Sequence, residues 1–207
     1  MGGTMTAEPR TDAPRALQPD GSAWPMPPQD GYTTDEFFSL DLPPHTELID
    51  GSLIFVSPQR KFHTLAMDLL VNGVRATVPE HLRVRREMAV VLGRKQAPEP
   101  DLVVVAAEAD ADQTQTRYQA EDVLLAVEVV SPDSEERDQD TKPRKYAAAG
   151  IRHYWLVTMD ENNRPAIHTY ELDPHTRAYA PTGIHHDRLK LAVPFTIDID
   201  LTEIDRL

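Results

Sequence analysis

Cysteine is absent from the 207-residue sequence. That absence excludes disulfides, thiolate zinc sites and cysteine nucleophiles, and it agrees with a reducing, cytoplasmic setting. No stretch approaches the roughly 20 apolar residues of a membrane span, and the N-terminal residues lack the apolar run of a secretory signal. The expected compartment is therefore the cytoplasm, with no membrane partner. Positive charge is also scarce: 21 Lys and Arg stand against 34 Asp and Glu, for a net charge of -13. Phosphate recognition rests on lysine and arginine neutralising a polyanion. Two classes survive: a protein that does not meet nucleic acid, or one that gathers carboxylates for metal ions while a small basic strip faces phosphates. Residues 1–30 hold two arginines and four acidic residues, so the excess lies almost entirely beyond them.

With 40% hydrophobic and 27% charged residues, the chain has the composition of one well-cored domain. Residues 1–30 are rich in Pro, Ala and polar residues without apolar periodicity and read as a disordered or loosely packed arm, with Trp24 as an anchor; residues 31–207 read as the domain. Thr33 and Glu36 match a capping box opening a short helix that ends before Pro43. Asp50-Gly51 between apolar segments predicts a hairpin turn. From Lys61 to about Thr77, Phe62, Leu65, Ala66, Leu69, Leu70 and Val74 recur at helical spacing, which predicts a core helix. Strands are expected over 82–92, 101–107 and 123–130, the last two buried on both faces. A helix is expected from near Asp140 to Gly150, then a strand at "HYWLVT" and a terminal meander of edge strands. Strands mixed with three helices, without strict alternation, predict an α/β fold with a central mixed sheet flanked by helices.

Within "LLAVEVV" (124–130) one carboxylate, Glu128, interrupts an apolar run. An ionised group in such a place must be paired, protonated or holding a cation. By strand alternation Leu124, Ala126, Glu128 and Val130 share one face. Asp101 opens the neighbouring apolar strand behind Pro100. If the two strands pair, both carboxylates meet at one sheet edge, where oxygen ligands suit a hard cation such as Mg²⁺.

A Pro-Asp at one strand and a Glu on the next resemble the PD-(D/E)XK nuclease superfamily, although Val130 stands where the lysine of that signature belongs. The segments "TELIDGSLIFVSPQRKFH", "PEPDLVVV" and "LAVEVVSPDSEERDQDTKPRKYAAAGIRHYWLV" resemble the Uma-type restriction endonuclease family, in which the helix after the Glu strand carries the lysine. The resemblance implies a restriction-endonuclease-like fold and an endonuclease hydrolysing DNA phosphodiester bonds with a Mg²⁺- or Mn²⁺-activated water. It implies Asp101 and Glu128 as metal ligands with Glu47 completing the shell, Lys142 as the lysine, and His63, Asp138 and Tyr146 in support. It also implies a homodimer. Pro143 pushes the preceding residue away from helical angles, which places Lys142 in the first turn or just outside it and makes Lys145 the substitute.

Each residue also has a plainer reading. Glu128 suits a buried ion pair with a neighbouring helix, Asp101 a turn, Glu47 a solvated strand position, His63 a surface or capping role. Asp138 suits a loop or cap, and Tyr146 simple packing of the helix. The eight histidines show no zinc-helix spacing, and His185-His186 falls in an expected turn. Arg83, Arg85, Arg86, Arg94 and Lys95 form the basic strip best suited to phosphates. Two other functions stay open: a catalytically inactive nuclease-fold interaction module, which the acidic composition favours, and a metal-dependent phosphodiesterase of smaller substrates.

Overall fold

A computed structural model describes residues 26–207; the expected arm over 1–30, apart from its last five residues, and the anchoring role of Trp24 lie outside the described residues. The elements run α1 (Thr34–Ser39), β1 (Thr46–Ile49), β2 (Ser52–Phe55), α2 (Lys61–Thr77), β3 (Leu82–Arg86), β4 (Ala89–Val91), β5 (Leu102–Ala106), β6 (Arg117–Gln119), β7 (Val123–Val129), α3 (Lys142–Ala149), β8 (His153–Met159), β9 (Pro165–Asp173), β10 (Ala178–His185), β11 (Arg188–Leu191) and β12 (Ile197–Asp200). Among the described residues no helix is long and apolar enough to cross a membrane.

The main sheet has the order β10-β9-β8-β7-β5-β3. Only the β7–β8 pair is parallel, so the sheet is mixed, and helices lie on both faces. On one face, α2 packs Ala66, Leu70 and Val74 against Val84, Leu102, Leu125, Val127 and Trp155. On the other, α3 packs Tyr146 with Val103, Ala126 and Tyr154. The central strands are apolar on both sides because both sides are covered.

Local signals explain several boundaries. The Thr33 hydroxyl and Glu36 carboxylate cap α1 reciprocally. At the β1–β2 turn Asp50 and Gly51 both adopt positive φ, at 51° and 76°, as a two-residue hairpin loop requires. This hairpin joins the body through mutual backbone hydrogen bonds between Leu48 and Ala97, at 3.0 and 2.8 Å. Gly150, at φ 89°, terminates α3.

Three expectations change. The single strand over 82–92 is two, because Glu87 at φ 53° breaks it and β4 leaves β5 to pair in parallel with β6. The alternation in 123–130 slips: a bulge between the β5 and β7 registers leaves Leu124 unpaired, so it packs with Leu125 on the α2 side rather than with Ala126. The terminal strands do not form one meander. β9 and β10 extend the main sheet, whereas β11 and β12 form a separate hairpin over α2. Gly73 permits that approach, since a Cβ there would lie 2.5 Å from Ile199 Cδ1.

Candidate active site

The β5–β7 register pairs Leu102 with Val127, which sets Asp101, one residue earlier, opposite Glu128. The two carboxylates thus stand at one end of adjacent strands. Asp101 Oδ2 accepts the Val129 backbone N–H at 2.6 Å, and Oδ1 lies 2.9 Å from His63 Nε2 at the start of α2. Glu128 Oε1 accepts the Tyr146 hydroxyl at 2.5 Å, and Oε2 accepts from Lys142 Nζ at 3.0 Å. The same ammonium lies 2.9 Å from Glu47 Oε1 and 3.2 Å from Asp138 Oδ1. Glu47, on β1, also accepts the Glu99 backbone N–H at 2.9 Å, so the loop preceding Asp101 fixes the hairpin carboxylate as well.

All of the residues expected at the site converge, and several plainer readings fail. Glu47 and His63 are buried rather than solvated, and Asp138 is 1% exposed rather than in an open loop. Tyr146 packs, but its hydroxyl is committed to Glu128. The ion-pair reading of Glu128 holds, with Lys142 as the partner. Lys145 instead holds Asp50 at the hairpin tip, at 2.7 and 2.8 Å, away from the carboxylates.

Lys142 reaches the site through a distortion that Pro143 had obscured. Residues Arg137–Thr141 form a π-turn immediately before α3, and Lys142 N–H donates to Arg137 O, five residues back. Lys142 itself has helical angles, φ -64° and ψ -45°. In a regular helix a proline ring collides with the carbonyl four residues earlier and removes a hydrogen bond; the wider turn relieves that conflict without ending the helix. The chain is therefore already helical upstream of Lys142, contrary to a helix starting near Asp140. Ser134, one turn before Asp138, donates its hydroxyl to the Asp138 carboxylate, and Tyr154 donates to the Asp138 backbone oxygen at 2.7 Å.

Four carboxylates, Glu47, Asp101, Glu128 and Asp138, line one cavity of 140 Å³ together with Lys142, His63 and Arg137. Burial raises Glu128 well above the ordinary carboxylate range, with Lys142 opposing it only in part. Asp138 is raised by burial in the same way. Burial alone would lower Lys142, but Glu128, Glu47 and Asp138 outweigh it and hold the ammonium well above its usual value. One lysine is too little positive charge for this set. Asp138 Oδ1 also lacks a hydrogen bond despite its proximity to Nζ. Hard oxygen donors with excess negative charge are the chemistry that suits Mg²⁺ or Mn²⁺, so the donor set fits such an ion. Among the described residues no three His, Asp or Glu side chains form a ready group for a metal ion; Glu47, Glu128 and Asp138 converge on the Lys142 ammonium instead.

Four of the five residues of the expected basic strip are engaged within the protein, and Arg94 is exposed. Arg85 pairs with Asp110, and Arg86 lies 3.1 Å from Asp68 and 3.3 Å from Glu87. Arg83 is turned onto the Glu80 and Leu82 carbonyls, and Lys95 onto that of Asp30.

The profile of the Uma2 family, described as "Putative restriction endonuclease", matches residues 34–202. The chain belongs to the Uma2 family. Among solved structures, a "putative nuclease belonging to DUF820" from Anabaena variabilis ATCC 29413 is similar with a TM-score of 0.64 and 18% identity, covering 83% of this chain and 96% of that one. That likeness shows a restriction-endonuclease-like fold for this Uma2 family member. The cAAA-bound form of NucC from P. aeruginosa ATCC27853 matches at a TM-score of 0.34 and 9% identity, over 61% of this chain and 85% of that one. No curated protein matches.

Proposed function

We propose that this protein is a Mg²⁺- or Mn²⁺-dependent endonuclease that hydrolyses DNA phosphodiester bonds. The observation that carries the reading is the convergence of Asp101, Glu128 and Glu47 with Lys142 in one cavity, in a member of a family described as "Putative restriction endonuclease". Asp101 and Glu128 would hold the metal, with Glu47 beside them. A bound divalent ion supplies positive charge to a phosphoryl oxygen and lowers the pKa of a water. Lys142 remains charged in this environment and is the group placed to stabilise negative charge on the phosphate. His63 fixes the orientation of Asp101, and Tyr146 that of Glu128, as partners behind a metal ligand do. β10, the outer strand of the main sheet, offers a surface for pairing two copies.

The test is Mn²⁺-dependent cleavage of supercoiled, linear and single-stranded DNA by the wild type beside Glu128→Ala, with thermal melting of the same samples. Cleavage and a metal-dependent rise in melting temperature, both absent in the variant, are expected. A second reading, a catalytically inactive interaction module, is favoured by one observation: Lys142 already neutralises part of the carboxylate set. It predicts neither cleavage nor a metal-dependent shift. Turnover of a model phosphodiester without DNA cleavage would point instead to a smaller substrate.

A further inference from the structure

Three basic side chains line the carboxylate cavity: His63, Lys142 and Arg137. The first is held by Asp101 and the second by Glu47, Glu128 and Asp138. Arg137 differs. No carboxylate among the described residues lies within ion-pair distance of it, and its Nε is buried without a hydrogen-bond partner. In a cavity lined by so many carboxylates, an unclaimed guanidinium needs an explanation. Its backbone supplies one, because Arg137 opens the π-turn that carries Asp138 and Lys142 inward. The distortion that delivers the lysine also sets an arginine at the cavity wall.

We propose that Arg137 binds the phosphate of the substrate strand at this cavity, with Arg60 taking a neighbouring phosphate. The inference rests on the nuclease reading and names the group that recognises its substrate. A guanidinium presents its N–H donors in a planar fork that matches two oxygens of a phosphodiester. A guanidinium beside the carboxylates offsets the repulsion that an acidic cavity exerts on that anion. Arg60 lines the adjoining cavity, of 210 Å³, which shares His63 and Ser131 with the first. It is exposed and has no carboxylate partner among the described residues. Positive charge for the strand is thus supplied along the start of α2 and the π-turn, not by the paired arginines of β3.

The experiment measures kcat and KM for Mn²⁺-dependent cleavage of a short fluorescein-labelled DNA duplex at several salt concentrations. Wild type, Arg137→Ala, Arg137→Lys, Arg137→Gln and Arg60→Ala are compared, each with its Mn²⁺-dependent thermal shift. Arg137→Ala is expected to raise KM at least about tenfold and to make the salt dependence of kcat/KM shallower by about one phosphate contact, with the Mn²⁺ shift kept. Arg137→Lys should recover part of the loss, and Arg60→Ala should raise KM a few-fold. If Arg137→Ala melts early in the absence of metal, Arg137→Gln is read by the same criteria. An Arg137 variant with wild-type KM and salt dependence overturns the proposal while leaving the nuclease reading intact. Loss of the Mn²⁺ shift in Arg137→Gln overturns it too, by making Arg137 a support of the carboxylates. A wild type that neither cleaves the duplex nor responds to Mn²⁺ overturns the nuclease reading and this inference together.

Discussion

Two lysines three residues apart on α3 make contacts of the same chemical kind in opposite surroundings. Lys142 is buried and meets Glu47, Glu128 and Asp138, whereas Lys145 reaches outward to Asp50 at the tip of the β1–β2 hairpin, a carboxylate that is 67% exposed. Water screens the second pair and is shut out from the first. The same ammonium–carboxylate contact is therefore worth little at Asp50 and is decisive at Glu128. The difference also separates the two lysines by place: Lys142 meets the buried carboxylates of the cavity because the π-turn brings it there.

The sharpest break of that comparison is Lys142→Ala. It leaves three buried carboxylates without their counter-ion, and breaking a buried pair from one side costs about 3–5 kcal/mol. The metal-free variant is expected to melt roughly 10 °C or more below wild type and to show no Mn²⁺-dependent cleavage. A melting temperature within a degree or two of wild type would mean that the carboxylates relax into water and that the cage is not rigid.

Glu128→Gln should separate stability from chemistry. The substitution keeps the shape and removes a charge that burial already disfavours, while Lys142 keeps Glu47 and Asp138. Thermal melting without metal is expected to stay near wild type or rise, but cleavage should fall by more than about 100-fold and the Mn²⁺ shift should vanish. Tyr146→Phe is the milder version. It deletes only the hydroxyl bonded to Glu128 Oε1, so a loss of about 1 kcal/mol in denaturant unfolding is expected, with an approximately tenfold drop in cleavage. Equal losses in both variants would show that the hydroxyl, not the carboxylate charge, is the critical group.

What the sequence made legible follows the range of the forces involved. The α1 cap, the Asp50-Gly51 turn, the α2 stripe and the Gly150 stop are local signals, and each appears where it was expected. Glu128 was legible too, because a charge inside an apolar strand advertises itself, and Asp101 opened the neighbouring apolar strand; Glu47 and Asp138 came only through the family resemblance. Residues whose placement depends on a partner were not. The Leu124 bulge exists only against β5, and the break at Glu87 comes with β4 leaving for β6. Pro143 argued locally against a helical Lys142, and nothing in one sequence announces that a π-turn will absorb it. The arginines of β3 looked free because their partners, Asp68 and Asp110, lie far along the chain. Arg137, whose Nε is buried without a hydrogen-bond partner among the described residues, carried no such signal, because that state is visible only in three dimensions.

The smallest effect is expected at the outer lysine. Lys145→Gln and Asp50→Asn, combined in a double-mutant cycle, should give a coupling of about 0.2–1 kcal/mol that shrinks as salt is added. Asn is chosen at position 50 because Asp50 sits at positive φ, which asparagine tolerates. The bond from Lys145 holds the Asp50 carboxyl below its ordinary range. A depressed folded-state pKa contributes stability that is present above the unfolded value, about 3.9, and is lost as pH falls through the lowered folded one. The coupling should therefore persist at neutral pH and fade in acid. Cleavage by Lys145→Gln should remain within about twofold of wild type, since exposed pairs contribute so little. A loss as deep as that of Lys142→Ala would transfer the catalytic role to Lys145, and would require the β1–β2 hairpin to move so that Asp50 releases it.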